Sequence, residues 1–392
     1  SHIKLDGIQV RDSQKTTCFK FKSLLIELKM SSLFRKVLEI RSFAMNHPEI
    51  SLVVDQKGRI NLMDAILAKV TKAIKNKAVK SQFLWFPINV IIKKAHVRGG
   101  ALTFKNPTGH MELQSVNIDI SDADLKEQRL SLTAGLKNSR IRLEDKEILI
   151  KKLGLLSELE HGEKINFDID LDSDLCDFEA DGIVRNIVET PEIDFSIRAG
   201  TRLEQLNGFL NHSIKLGGAA KMIFKGKGPV NNPDALFNLD VVDFKIDDTL
   251  KGNGLNLSGD LADRIVSITK GTLDILGSDI AFKGKADLMD VFPKGFLNPA
   301  RNMDALKYHF SFDQKNGNFQ SLEKWIKGFS GRFSSSGNFT GKGIRPETLA
   351  AKYQFNLALE SFKQNRGKTD PLDFETDITG TMGKGICKIL GF

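Results

Sequence analysis

The sequence predicts a mostly β protein, an elongated and curved antiparallel sheet that forms a groove and carries about three short helices. Three observations predict this class. Apolar and polar residues alternate with period two in roughly fifteen to twenty segments. Runs with helical spacing are few. Gly, Asn and Asp cluster between the alternating segments, where turns favour them.

The composition is globular but has an unusual aromatic content. With 27% charged and 41% hydrophobic residues, the 392-residue chain has neither a disordered nor a collagen-like composition. It contains 27 Phe but only 2 Tyr and 2 Trp. The aromatic surface is therefore almost wholly apolar, which favours an extended apolar face over polar recognition.

The predicted strands have one apolar and one polar face. The clearest examples are residues 130–136, 165–171, 193–199, 220–224, 308–312 and 353–359. Because parallel sheets bury both faces of their strands, this pattern indicates antiparallel pairing.

Three helices are predicted between the strands. The best lies at residues 61–80, where Leu62, Ile66 and Val70 follow helical spacing. The second spans Thr201–His212, and the third runs from Leu322 to Phe329. A further short helix is possible near Ala300–Leu306.

An internal repeat is visible in the second half of the chain. A helix, a strand, the triplet Gly-Lys-Gly and a downstream Pro occur around Gly226–Gly228 and again around Gly341–Gly343. A recurring unit of this kind predicts stacked supersecondary modules instead of separate globular domains.

No motif predicts catalysis, a metal site or a cofactor, so we expect a protein that is not an enzyme. The seven His residues show no metal-ligand spacing. Asp168, Asp170, Asp172 and Asp174 could suggest calcium, but the intervening apolar residues favour the solvated face of a strand. The run Gly337–Gly343 lacks the spacing of a phosphate loop and the hydroxyl after Lys342, and its Gly-Lys-Gly triplet is interpreted as a structural turn.

The net charge of +8 does not predict nucleic-acid binding. The Lys residues are interspersed with acidic ones, and no concentrated basic stripe is present. The one basic cluster, Lys69–Lys80, falls on the first predicted helix, where it is a solvated face or lies near anionic headgroups.

The three Cys are far apart and predict neither a disulfide framework nor a zinc site. The most apolar window, Phe83–Ile92, is about half the length that a membrane-spanning helix needs. The chain starts at Ser1 and stops at Phe392 within a strand-like run, so we interpret it as part of a longer protein.

The first 120 residues resemble the AsmA-like family of bacterial envelope proteins, which includes the TamB group. The resemblance rests on the order of short motifs, followed by a strand at 97–104 that turns at Asn106. These motifs are Leu5–Val10, Phe19–Met30, Ser31–Phe34, Val37–Ile40, Pro48–Leu52 and Gly58–Leu62. The Gly-Lys-Gly repeats are also similar to those of the family.

The resemblance implies a β-groove lined with apolar side chains, similar to bridge-like lipid-transfer proteins. It implies that the protein transfers phospholipid between the inner and outer membranes. It also implies that an anchor upstream of Ser1 holds the protein on the periplasmic side of the inner membrane. It also implies a possible outer-membrane partner. The corresponding domains are an N-terminal module at 1–125, with its helix at about 61–80, and repeats over 126–392 with units near 190–305 and 306–392.

The residues support the same architecture independently. A sheet with one apolar face must cover that face, and about three helices are too few to do so. Curling the sheet into a trough that holds acyl chains would resolve this. Alternation does not decide between such a trough and a closed core. The predicted lining residues are Phe104, Ile118, Leu132, Phe167, Ile169, Phe195, Ile197, Phe224, Leu239, Phe244, Phe282, Phe310, Phe355 and Phe374.

Two other functions remain open at this point. The chain could be a scaffold for outer-membrane protein assembly, as the TamB likeness implies, with sheet edges that accept a client strand. It could also be an enzyme such as a β-helical glycan hydrolase, although nothing in the sequence places two carboxylates in one cleft.

Overall fold

The computed structural model describes residues 1–11, 17–54, 89–106, 109–143, 146–208, 215–247, 250–324, 326–345, 348–364, 370–383 and 386–391. Strands account for 75% of these residues, which confirms the mostly β class. The chain divides into two compact units, Ser1–Thr190 and Pro191–Phe392. In each unit the described strands form an open sheet with few helices, as the sequence predicted.

Twelve strands lie in the described part of the first unit. They are β1 (His2–Asp6), β2 (Gln9–Arg11), β3 (Thr17–Lys20), β4 (Ser23–Lys29), β5 (Val37–Asn46), β6 (Glu49–Val53), β7 (Asn89–Asn106), β8 (Gly109–Asp124), β9 (Arg129–Leu143), β10 (Lys146–Glu160), β11 (Lys164–Ser173) and β12 (Asp177–Arg185).

The first unit contains one departure from antiparallel pairing. β1 pairs with β4, β2 with β3, β3 with β6, and β4 with β5, all antiparallel. β5 and β6 then both pair in parallel with β7, after which β7 to β12 continue antiparallel. Parallel neighbours need a crossover connection of a dozen or more residues, and residues 54–88 supply that length. The predicted helix at 61–80 and the basic cluster Lys69–Lys80 lie outside the described residues.

Eleven strands lie in the described part of the second unit, and each pairs antiparallel with the next. They are β13 (Glu192–Arg202), β14 (Leu216–Pro229), β15 (Asp234–Ile246), β16 (Leu250–Ala262), β17 (Ile265–Ile275), β18 (Ser278–Asp287), β19 (Lys307–Asn318), β20 (Phe329–Lys342), β21 (Ala350–Gln364), β22 (Leu372–Gly383) and β23 (Ile386–Gly391). At about 4.8 Å between neighbours, this meander extends about 50 Å across its strands.

The helices are shorter than the sequence predicted. Within the described part of Thr201–His212, only α1 (Leu203–Leu206) is α-helical. The helix predicted from Leu322 to Phe329 is wrong, because Phe319–Leu322 is a single 3-10 turn and Phe329 begins β20. The Phe329 ring stacks on Phe362 of β21 at 5.2 Å, so sheet packing overrides its helical spacing. Further 3-10 turns occur at Met30–Arg35 and Met303–Ala305.

The internal repeat has a structural counterpart in β14 and β20. Each strand has 14 residues and begins after a short helical turn. Gly218 and Gly331 occupy equivalent positions near the strand starts, with φ angles of 114° and 124°. Gly228 and Gly343, which end the two Gly-Lys-Gly triplets, also have positive φ. The interpretation of the triplet as a turn is wrong, because Gly226–Gly228 lies within β14 and Gly341 and Lys342 end β20. The last glycine of each triplet has a positive φ, a backbone conformation that glycine adopts at no steric cost.

Candidate functional site: an apolar face in each unit

Strand register places the apolar residues of the second unit on one face. Side chains that face each other across an antiparallel pair lie on the same side of the sheet. The opposed pairs include Ile197–Phe224, Phe224–Phe237, Leu239–Leu257, Leu255–Leu273, Leu273–Ile280, Phe282–Phe312, Phe310–Phe339, Phe339–Tyr353 and Phe355–Ile378. Every strand from β13 to β22 thus contributes to one apolar face.

The first unit has its own apolar face, which contains five of the predicted lining residues. One row across β8 to β11 consists of Ile118, Ala134, Leu155 and Ile169. The neighbouring row places Leu132 opposite Ile120 and Ser157 opposite Phe167. Phe104 lies farther along β7, opposite Met111 of β8 and beside Leu52 of β6.

The apolar faces are only half covered by the protein. Thirteen of the fourteen predicted lining residues are half-buried, and Phe374, which lies opposite Leu359 on β22, is 48% exposed. Among the described residues, Phe21 is the one phenylalanine in the buried core. A closed hydrophobic core would bury most of these rings, so the described chain leaves its apolar faces accessible.

Bulges keep the apolar side chains on one face along each long strand. In β15, Phe244 lies five positions after Leu239, and strict alternation would place the two side chains on opposite faces. Asp243 adopts a positive φ of 51° at the register shift between β14 and β15, and this extra residue resets the alternation. Gly99 lies at the corresponding shift in β7, between Val97 and Phe104.

Several aromatic rings of the second unit lie over glycines on the neighbouring strand. A Cβ atom at Gly226 would lie 2.6 Å from the Phe195 ring, and one at Gly271 would lie 2.5 Å from the Phe282 ring. The pairs Phe237–Gly259 and Phe310–Gly284 repeat this arrangement. The missing side chains allow each ring to lie against the backbone, which gives the face a smooth aromatic surface.

An apolar recess of about 420 Å³ opens on the last strands of this face. Its lining includes Phe312, Phe339, Tyr353, Phe355, Ile378, Met382 and Ile389. The Tyr353 hydroxyl donates a hydrogen bond to the carbonyl oxygen of Lys388 at 3.1 Å, so its polar end is satisfied within the protein. Of these residues the predicted lining set contains Phe355 alone, although the alternation of residues 308–312 and 353–359 also indicates Phe312 and Tyr353.

The opposite face carries paired charges. Lys151 contacts Asp172 at 2.8 Å, and Lys152 forms an ion pair with Asp170. Asp168, Asp170 and Asp172 therefore alternate with the apolar side chains of β11, as a solvated strand face would, and Asp174 follows the end of the strand. Within the described ranges, no group of three or more His, Cys, Asp or Glu residues is arranged to hold a metal ion.

A charged cluster on the same polar side joins β7 to β8. Arg98 donates hydrogen bonds to both carboxylate oxygens of Asp119, one of them at 2.8 Å, and the His96 ring lies 2.5 Å from the same carboxylate. The Arg98 guanidinium lowers the pKa of Asp119 below its ordinary value of 3.8, against a smaller opposing effect of burial. His96 lowers this pKa further.

This lowered pKa predicts an acid-sensitive contribution to stability. Because the folded-state pKa lies below the unfolded value, the contribution is present above pH 3.8 and is lost as the pH falls through the folded pKa. Urea unfolding at pH 7 and pH 3 measures how much free energy of unfolding is lost on acidification. This loss should be larger for the wild type than for Asp119→Asn. We expect the difference to stay below about 1 kcal/mol, since both side chains are substantially exposed. Equal losses in the two proteins would contradict the assignment.

Comparison with known proteins identifies the family. No helix in the described part of the chain has the length and hydropathy to cross a bilayer. Neither a curated protein nor a solved structure matched the sequence. The family model described as "AsmA family" matches residues 1–221, which include the whole first unit, β13 and the start of β14. The chain therefore belongs to the AsmA family, a family of bacterial envelope proteins.

Proposed function

We propose that the apolar faces bind the acyl chains of phospholipids, and that the protein transfers these lipids between the inner and outer membranes. In this proposal it acts in the periplasm and is held at the inner membrane. The observation that carries the proposal is the half-buried aromatic face that register traces across β13–β22. Membership of an envelope family supports the setting.

The energetics of such a face suit a lipid conduit. Each methylene group that leaves water contributes about 0.8 kcal/mol, so ten buried methylenes contribute of the order of 8 kcal/mol. This attraction has no preferred direction along the face, so a chain can slide without breaking specific bonds. The smooth surface made by rings such as Phe195 over Gly226 presents few obstacles to that movement.

The polar groups of the described faces are placed away from the apolar side chains. Asn238 and Asp240 alternate with Phe237 and Leu239 along β15, so they lie on the opposite side of the sheet. A lipid on the apolar face would keep its headgroup in water at the sheet margin. Such binding would select for acyl chains and tolerate different headgroups.

The proposal is tested by asking whether the purified 392-residue chain carries lipid. Native mass spectrometry and solvent extraction should detect bound phospholipid, and the chain should accelerate exchange of labelled phospholipid between vesicles. A chain that never carries lipid and does not bind a fluorescent fatty acid would overturn it. Capture of a client strand without any lipid would instead favour the assembly-scaffold alternative.

A further inference from the structure

One end of the first unit presents an unusually exposed aromatic ring. Phe34 lies in the 3-10 turn Met30–Arg35 between β4 and β5, and it is 94% exposed. Met30 and Leu33 of the same turn are also exposed. Leaving a phenylalanine ring almost wholly in water is unfavourable, so a cluster of this kind indicates a surface that binds something apolar.

The turn that presents Phe34 is held firmly. Ser32 at its centre is fully buried, and its hydroxyl donates to the carbonyl oxygen of Lys29 at 2.5 Å and accepts from the Glu39 N–H at 3.3 Å. Lys29 and Glu39 form an ion pair at 3.0 Å across the base of the turn. Lys36 closes the turn in the left-handed region, with φ of 57°. These contacts fix the backbone and direct Phe34 away from the sheet.

A second exposed apolar tip lies beside the first. Leu125, in the turn between β8 and β9, is 68% exposed. Asn89 joins the two tips, because its N–H donates to the Lys36 carbonyl oxygen and its side-chain oxygen accepts from the Lys126 N–H. The tips at residues 30–36 and 124–129 therefore form one surface, which we call the tip surface.

The charge of the tip surface indicates the nature of its partner. Arg35 and Lys36 follow Phe34 directly, and Lys126 and Arg129 follow Leu125 in its turn, all exposed to solvent. The acidic groups are Glu127 and Asp124, and Asp124 is buried and accepts hydrogen bonds from Asn89 and from two backbone N–H groups. Apolar side chains surrounded by basic ones match a bilayer whose headgroups are anionic.

We propose that the tip surface docks on an anionic bilayer, with the Phe34 ring inserted among the lipids and Arg35 and Lys36 against the headgroups. This site is separate from the apolar face that is proposed to hold single lipids, so either proposal can fail alone. It gives the first unit a direct contact with the membrane surface through residues of its own.

The test measures binding of the whole chain to vesicles of phosphatidylcholine with and without phosphatidylglycerol, by flotation. We expect binding to the anionic vesicles that weakens with added salt. Phe34→Ser should weaken it at least about tenfold, and Arg35→Glu with Lys36→Glu should weaken it similarly. The matched control is Leu297→Ser in the second unit, since Leu297 is 69% exposed and lies far from the tip surface in sequence.

Tryptophan fluorescence tests insertion into the bilayer separately from the measured vesicle affinity. After subtraction of the wild-type fluorescence, the tryptophan emission of Phe34→Trp should shift to the blue in anionic vesicles and be quenched by brominated lipid. The tryptophan emission of Leu297→Trp should show neither change. Phospholipid carried by the purified protein should be unchanged in Phe34→Ser, which separates this proposal from the previous one. Equal vesicle binding by wild type and Phe34→Ser, or tip-dependent binding to a protein but not to vesicles, would overturn it.

Discussion

Replacing Phe310 by aspartate is expected to reduce the phospholipid carried by the purified protein at least about tenfold, with a corresponding loss of transfer between vesicles. Phe310 lies on β19, the seventh of the eleven described strands of its unit, opposite Phe339 and over Gly284. An acyl chain that lay against an ionised carboxylate there would strip it of water. An unpaired charge in an apolar environment costs several kcal/mol. A tenfold weakening of lipid binding corresponds to only about 1.4 kcal/mol, so this cost is more than sufficient.

Ser311→Asp is the matched control for this experiment. It adds the same charge one residue farther along β19, on the polar face, opposite Lys283 and Asn338. We expect Ser311→Asp to retain wild-type lipid content. Thermal melting followed by circular dichroism should show that both variants remain folded. If folded Phe310→Asp carried and transferred lipid as well as Ser311→Asp does, the apolar face of the second unit would not be the lipid site.

Replacing Gly331 by alanine is expected to destabilise the second unit by about 2–4 kcal/mol, through backbone strain and overpacking together. Gly331 has a φ of 124° at the register shift between β20 and β21. A Cβ there would lie 2.8 Å from the carbonyl oxygens of Glu360 and Ser361. Both contacts are with backbone, so the neighbouring strand itself would have to move.

The matched control for Gly331 is Gly200→Ala in β13. Its φ is not in the left-handed region, and no atom lies within 4 Å of the position of an added Cβ. We expect Gly200→Ala to be neutral or to stabilise by less than about 1 kcal/mol, by restricting the unfolded chain. Urea unfolding of both variants gives the comparison. Similar stabilities for the two would show that the bulge at Gly331 tolerates a side chain.

Much of the fold could be predicted because the sheet has one apolar face. Alternation in segments such as residues 165–171 and 193–199 correctly identified strands and their antiparallel pairing. It failed where a local spacing was ambiguous. Leu322 and Phe329 share helical spacing, yet Phe329 belongs to a strand, because its ring packs on Phe362 from another strand. Sequence spacing does not report such a distant contact.

The parallel pairing of β5 and β6 with β7 shows a second limit. These strands carry the same alternation as their antiparallel neighbours, so their sequence does not specify direction. The direction of β7 relative to β5 and β6 depends on the connection between β6 and β7. Alternation within a strand carries no information about that connection. The tip surface shows a third limit. Met30, Leu33 and Phe34 are residue types that usually lie in a core, so the sequence does not predict that they are exposed. Their exposure follows from the turn that Ser32 fixes.

Period-two alternation and composition are local properties of the chain, so they suffice to predict a one-sided β-sheet with a phenylalanine-rich face. Which residues share that face depends on strand register and bulges, which arise from long-range pairing. Leu239 and Phe244 both lie on it because Asp243, which has a positive φ, resets the alternation between them. The structure also decided that the face stays half exposed, since coverage depends on what packs above a sheet and not on the residues within it.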